Sequence, residues 1–117
     1  MTFLAFHKTV RNDGDEDKTI QFWICKTKQE AIDHLLLGWE QLEYEEEELQ
    51  ETSPKFKSLL EQGTIIWKHE WIRKGNGDLF GILKIDKTNN FSIDLNKLME
   101  KAFTIDGEKV FDKYSYY

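Results

Sequence analysis

The sequence predicts an α+β fold: a small antiparallel sheet built from two hairpins, with helices packed on one face. Three observations predict this class. Two pairs of segments rich in β-branched and aromatic residues are each interrupted by turn-forming residues. A long amphipathic stretch separates the two pairs. The length of 117 residues fits one core, so we expect a single domain over 1–117 with the order ββααββα(β), the last strand being optional.

The first hairpin is predicted from residues 2–10 and 19–26. The first segment alternates imperfectly between apolar and polar residues, and the second is β-branched and aromatic. The polar run 11–18 between them is rich in turn formers. These features predict two antiparallel strands at the start of the chain.

Two helices are predicted between the hairpins. Thr27 and Glu30 have the spacing of a capping box, so the first helix should begin there and run to about residue 50. Ser53 and Pro54 suit the N-cap and the first position of a second, short helix. Gly63 fits the C-terminal end of that second helix.

The second hairpin is predicted from residues 64–73 and 79–86. Asn76-Gly77 lies between these segments, and this dipeptide is a strong signal for a tight hairpin turn. The two segments should therefore pair antiparallel and join the first hairpin in one sheet.

A third helix and a turn are predicted near the end of the chain. Ser92 suits the N-cap of this helix, with Asp94 in the first turn near the positive end of the helix dipole. An Asp-Gly turn follows within 104–109, and residues 109–116 suit the optional last strand.

Nearly all of the net charge of −6 comes from residues 40–51. This stretch contains seven Glu and no Lys or Arg, whereas the rest of the chain has 15 acidic and 16 basic side chains. Solubility does not require such a concentration of charge. The stretch therefore predicts a negative surface that meets a positive partner.

Within one continuous helix, these glutamates would be placed unfavourably. They would lie at the C-terminal end, next to the negative end of the macrodipole. Glu43/Glu47 and Glu47/Glu51 would be like-charge i,i+4 pairs, each costing about 0.2–0.5 kcal/mol. A local loss of stability that no other interaction compensates is typical of functional surfaces. The alternative is a solvated helix end balanced by Lys55 and Lys57.

We interpret the acidic stretch as the binding surface for a basic protein. The expected contact set contains five carboxylates and one aromatic anchor: Glu40, Glu43, Glu47, Glu48, Glu51 and Tyr44. Carboxylates on a helix can occupy positions that phosphates would take, so a nucleic-acid-binding protein or a nuclease fits as the partner. The net charge disfavours direct binding to nucleic acid or to an anionic membrane.

A calcium loop is not predicted, although three aspartates have the right initial spacing. Asp13, Asp15 and Asp17 match the first three ligand positions of an EF-hand. The sixth and twelfth positions hold Lys18 and Ile24 instead of Gly and Glu. We expect no dedicated metal site there.

The other reactive residues predict neither a zinc site nor a nucleophile. His7, His34 and His69 share no metal-ligand spacing. Cys25 lies within an apolar strand, where an inert buried thiol is the usual case. We expect no catalytic residues, no cofactor and no enzymatic activity.

The sequence also predicts the cellular compartment of the protein. The single cysteine cannot form an internal disulfide, no run of apolar residues is long enough to span a membrane, and the N-terminus lacks the pattern of a signal peptide. We therefore expect a cytoplasmic protein. In its small size, its net negative charge and its lack of enzyme motifs, the chain resembles immunity proteins against nuclease toxins and phage anti-defence proteins. This is a resemblance to a class of proteins, not to a specific motif.

Two alternative functions remain open from the sequence. On an alternating strand, one face would present an aromatic stripe that could bind a ligand or substrate: Ile65, Trp67, His69, Trp71 and Arg73. The structural interpretation of this stripe is a core face beneath helices. In the second alternative the protein is a homo-oligomer, in which Leu36, Leu37 and Tyr44 pack against another copy.

Overall fold

The computed structural model describes residues 2–10, 20–42, 45–69, 76–85 and 94–110. Several predictions concern residues outside these ranges: the 11–18 turn with Asp13, Asp15 and Asp17, the contact residues Glu43 and Tyr44, Trp71 and Arg73 of the aromatic stripe, the cap Ser92, and most of the optional strand 109–116. These stay predictions.

The observed order of elements is ββααββα, as predicted for this α+β fold. The four strands are β1 Thr2–Val10, β2 Ile20–Cys25, β3 Ile66–His69 and β4 Gly77–Ile85. The three helices are α1 Lys28–Leu42, α2 Glu46–Glu61 and α3 Leu95–Lys101. None of the helices in the described ranges is both long and apolar enough to cross a membrane.

Both predicted hairpins join a single antiparallel sheet with the strand order β2-β1-β4-β3. In the first hairpin, Phe6 lies opposite Phe22. In the second, Ile66 lies opposite Phe80. The long pairing of β1 with β4, which runs from Thr2–Ile85 to Val10–Gly77, places these two strands at the centre.

Asn76-Gly77 is not the tight turn that the dipeptide predicts. Gly77 is already the first residue of β4, it pairs with both Val10 and His69, and its φ is not positive. A Cβ at Gly77 would lie 2.3 Å from the carbonyl oxygen of Lys68 and 2.6 Å from the ring of Trp67. Glycine is required here because the neighbouring strand approaches closely, not because of a turn.

The break between α1 and α2 lies earlier than predicted. α1 ends at Leu42 instead of near residue 50, and α2 begins at Glu46 with Pro54 inside it. Ser53 is therefore not an N-cap. A helix continued to residue 50 would project about 12 Å beyond Leu42, whereas the early break lets α2 fold back along α1.

Contacts at both ends show that α1 and α2 run antiparallel. The Lys28 ammonium at the start of α1 donates to the carbonyl oxygen of Glu61 at the end of α2, at 3.0 Å. The Trp39 ring near the end of α1 stacks on Phe56, with centroids 4.6 Å apart. Burial of these two aromatic side chains favours the helical hairpin.

The predicted signals at the start of α1 and at the end of α2 are confirmed, whereas the start of α3 is shifted. The Glu30 amide donates to the Thr27 hydroxyl at 3.1 Å, as in a capping box. Gly63 has a φ of 83° and closes α2 in a Schellman motif, since its amide bonds Leu60 and the Thr64 amide bonds Leu59. Asp94, predicted in the first turn of α3, is instead its N-cap, because α3 begins at Leu95 and the Asp94 carboxylate accepts from the Lys97 amide at 3.3 Å.

Apolar clusters lie on both faces of the sheet. α1 and α2 cover one face as predicted, where Ala5 and Phe80 belong to their cluster. The adjacent residues Phe6 and Leu79 point to the other face and pack in a second cluster with side chains from α3 and the segment after it. The prediction of helices on one face therefore holds for α1 and α2, but not for α3.

Candidate protein-binding surface

Exposed carboxylates gather where α1 ends and α2 begins. Six described residues form this surface, which we call the acidic corner: Glu40, Glu45, Glu46, Glu47, Glu48 and Glu51. Glu40 lies in the last turn of α1, and the other five lie at the N-cap and in the first turns of α2. The predicted contact residues Glu40, Glu47, Glu48 and Glu51 thus come together at a junction of two helices, not along one helix.

The earlier helix break reverses the predicted dipole effect for three of these six residues. Glu46, Glu47 and Glu48 occupy the first turn of α2, next to its positive end. In that position a carboxylate stabilises a helix by about 0.3–1 kcal/mol. The predicted unfavourable dipole contact is therefore wrong for the three glutamates, because the direction of the field depends on which helix contains them.

Two unfavourable features remain in the acidic corner. Glu40 lies in the last turn of α1, which contains no basic residue, so this carboxylate faces the negative helix end. Glu47 and Glu51 are still an i,i+4 pair within α2. Lys55 compensates in part, since its ammonium lies 3.6 Å from the Glu51 carboxylate.

Buried contacts hold the acidic corner against the core. The indole N–H of Trp39 donates to the Thr52 hydroxyl at 3.1 Å, and this hydroxyl donates to the Glu48 carbonyl oxygen at 2.8 Å. Trp39 is only 1% exposed, so its side chain fixes the start of α2 relative to α1. No pattern in the sequence indicates the role of Thr52, because its partner Trp39 lies in the other helix and comes close only in the folded hairpin.

A shallow apolar groove borders the acidic corner. It has a volume of about 480 Å³ and lies between α2 and the turn after α3, where Pro54, Leu59 and Ile105 line it. Lys55 lies on the rim, with its ammonium 3.8 Å from Asp106 and near Glu51. An apolar side chain of a partner could enter this groove while basic side chains meet the acidic corner.

A second polar cluster lies between the sheet and α1. His7 Nε2 donates to the Asp78 carboxylate at 2.7 Å, and both side chains are mostly buried, at 12% and 16% exposed. The His7 ring stacks on Phe80 with centroids 4.2 Å apart. Gly38 of α1 leaves room for this ring, since a Cβ there would lie 3.2 Å from Nδ1.

The geometry of this cluster favours a structural role. The Thr9 hydroxyl also donates to Asp78, at 3.2 Å, so its proton points to the carboxylate and not to the imidazole. A hydroxyl nucleophile would instead donate to the histidine base. His7 and Asp78 are 71 residues apart in the sequence, and no local pattern indicates their pairing.

Cys25 is buried at the end of β2, as predicted. Burial raises the pKa of its thiol above the ordinary value, and the nearby negative charge of Glu30 raises this pKa further. Both effects disfavour the thiolate, which is the reactive form. The environment of Cys25 is therefore that of an inert core thiol.

Two of the three described residues of the aromatic stripe belong to the core, whereas His69 is half-buried. Ile65 and Trp67 are buried in the second apolar cluster, which includes side chains from α3 and the segment after it, and Trp67 is only 1% exposed. These two side chains cannot contact a ligand at the surface. In the described ranges, no group of three His, Cys, Asp or Glu side chains could hold a metal ion.

Comparisons with known proteins give one partial relative. The chain is similar to Uncharacterized protein L43 of Acanthamoeba polyphaga mimivirus, with 38% identity over 52 residues, which is 44% of this chain. The match spans about a quarter, 24%, of the viral protein's length. No family model matches, and no solved structure gives a significant match. The name of the viral protein specifies no activity, so the match assigns no function to this chain.

Proposed function

We propose that this protein is a small acidic binding module whose acidic corner docks on a basic surface of another protein. The observation that carries the proposal is the concentration of charge: seven Glu lie within residues 40–51, while the rest of the chain is nearly neutral. All the described carboxylates of this set are exposed.

Electrostatics and packing support this function together. A cluster of like charges raises the rate at which an oppositely charged partner associates, and salt screens this effect. Trp39 and Thr52 hold the corner in place, so less conformational entropy is lost when a partner binds. The adjacent groove offers an apolar site beside the charges, and central apolar contacts commonly supply much of the binding energy.

The helix dipole by itself can explain why some of the glutamates are present, and this leaves fewer carboxylates that need a binding role. The helix dipole accounts for Glu46 and Glu48 in the first turn of α2. The dipole also favours Glu47, but it does not offset the i,i+4 repulsion between Glu47 and Glu51, and Glu40 faces an unfavourable dipole. These three carboxylates are therefore the first choice for charge reversal.

The partner class follows from the same chemistry. A surface that accepts several helix-borne carboxylates carries clustered Arg or Lys, as in proteins that bind nucleic acid. Within the proposal, the protein inhibits such a partner, for example a nuclease, by occupying its basic surface, as immunity or anti-defence proteins do. The proposed site of action is the cytoplasm.

The test is affinity capture from the native host with three forms of the protein. The first is wild type, and the second carries Glu40→Lys, Glu47→Lys and Glu51→Lys. The matched control carries Asp33→Lys, Glu61→Lys and Glu100→Lys, which change the net charge equally at exposed positions away from the corner. We expect wild type and the control to retain the same partner, and the corner variant to lose it.

Association kinetics with the captured partner complete this test. The corner variant should associate more slowly and with a weaker dependence on salt, because electrostatic steering has been removed. Binding of the corner variant at the wild-type rate and affinity would show that the acidic corner is not the binding surface. Equal loss in the control would show a dependence on net charge alone.

A further inference from the structure

The two edge strands of the sheet differ in what covers them. The outer edge of β3 is covered, because Phe103 accepts a hydrogen bond from the Trp67 amide at 3.0 Å and donates one to the Ile65 carbonyl at 2.9 Å. Within residues 2–10, 20–42, 45–69, 76–85 and 94–110, no strand pairs with the outer edge of β2. An uncovered edge presents backbone donors and acceptors that can bind another strand.

The composition of β2 lacks the usual protection of an edge strand. Its sequence, IQFWIC, contains no charged residue, no Pro and no Gly. Proteins normally prevent edge pairing with charged side chains, Pro or bulges. β2 therefore has the composition of a strand that pairs on both sides, although among the described strands it pairs only with β1.

Exposed apolar side chains mark the same strand. Phe22 is 44% exposed and Ile24 is 68% exposed. Both point to the face opposite α1, since the intervening Trp23 belongs to the α1 side, where it stacks on His34 with centroids 5.3 Å apart. The uncovered edge thus continues into an apolar patch.

We propose that β2 pairs antiparallel with β2 of a second copy of this chain, so that the two sheets become one continuous sheet. The occupant is a strand because the free edge offers backbone hydrogen bonds in strand geometry. Self-pairing fits because β2 carries no charge: six uncharged residues meet six uncharged residues, with no repulsion across the interface despite the net charge of −6.

Symmetry makes this pairing self-complementary. A two-fold axis perpendicular to the sheet, passing midway between one β2 residue and the same residue of the copy, pairs even-numbered positions with even-numbered positions. Phe22 and Ile24 then lie beside the same apolar pair of the copy, on the same face. The interface uses neither the acidic corner nor its groove, so this inference does not depend on the proposed function.

The first test is the oligomeric state, measured by sedimentation equilibrium from micromolar to millimolar concentration. We expect wild type to dimerise and Ile24→Lys to be monomeric over the same range, because an ammonium would lie in an apolar interface. Leu37→Lys is the matched control: Leu37 is 62% exposed but lies on α1, on the other side of the sheet. This control should dimerise like wild type.

Two results of sedimentation would overturn the inference. Wild type that remains monomeric at every concentration would leave no role for a second copy at β2. Ile24→Lys that dissociates no more than Leu37→Lys would place any dimer interface elsewhere, for instance on the outer face of α1. Circular dichroism of both variants should match wild type, since both side chains are exposed.

Disulfide trapping tests the same pairing without a destabilising charge. In a Cys25→Ala background, Gln21→Cys, Phe22→Cys and Ile24→Cys are oxidised alone and in pairwise mixtures. Opposed residues of antiparallel strands have Cα atoms about 4.5–5.5 Å apart, within disulfide range. One combination should give a covalent dimer, and the trapped pair would then identify the register in which the two β2 strands face each other. Yields no higher than with Leu37→Cys in every combination would overturn the inference.

Discussion

The acidic corner and the His7–Asp78 cluster contain carboxylates in opposite environments. In the corner, the carboxylates are exposed and meet mainly solvent, so each adds little to the free energy of unfolding. Asp78 is mostly buried and accepts from both His7 and Thr9. Its removal would leave two donors without a partner. The comparison shows that a carboxylate's burial and partners, and not its charge alone, indicate whether it serves stability or is free to serve binding.

The largest expected effect is on the buried side of this comparison. Asp78→Ala should lower the free energy of unfolding by about 3 kcal/mol, because the His7 and Thr9 donors lose their shared acceptor. Urea denaturation measures this difference. Asp33→Ala, at an exposed position of α1, is the control and should change stability by less than about 0.5 kcal/mol. Equal losses in the two variants would contradict a structural role for the cluster.

An intermediate effect is expected where the corner is joined to the core. Thr52→Val keeps the shape of the side chain but removes the hydroxyl that accepts from the buried Trp39 indole. The unfolding free energy should fall by about 1–2 kcal/mol. Thr52→Ser retains the hydroxyl and should lose clearly less, so the difference between the two variants in urea denaturation isolates the hydrogen bond. A Val variant as stable as the Ser variant would argue against it.

The smallest effects concern the exposed glutamates, and their signs test the observed helix break. Glu46→Lys should destabilise the protein by about 0.3–1 kcal/mol, because it places a cation at the positive end of α2, and its i+4 neighbour is the uncharged Gln50, so no like-charge pair is relieved. Glu40→Lys should stabilise it by a few tenths of a kcal/mol, because it places a cation at the negative end of α1. One continuous helix to about residue 50 would instead predict stabilisation by Glu46→Lys, because the cation would then lie near the negative end. Thermal unfolding at low salt compares them directly.

The same contrast explains which parts of the fold the sequence predicted. The strands, the order of elements and three helix ends depend on local chemistry: alternation for β1, the Thr27 cap, Gly63 with its positive φ, and a carboxylate near the start of α3. Each of these signals acts within a few residues, so it can be recognised without knowing what the segment contacts.

The predictions that failed depend on distant contacts. Asn76-Gly77 is a good turn sequence, but the close approach of β3 places Gly77 inside the sheet. Residues 43–45, which lie between α1 and α2 in the sequence, include neither Gly nor Pro. Two separate helices are favoured because Phe56 can then stack on Trp39 and α2 can cover the sheet. Neither contact can be identified from periodicity in one segment.

For the candidate site, the sequence by itself determined that seven glutamates lie within twelve residues of a chain that is otherwise nearly neutral. Only the tertiary structure decided that the described carboxylates lie at the junction of two antiparallel helices, and that three of the six face a favourable dipole. The physical reason is that charge is a property of composition. The field that each charge experiences depends on where the backbone turns, and burial of Trp39 and Phe56 favours that turn.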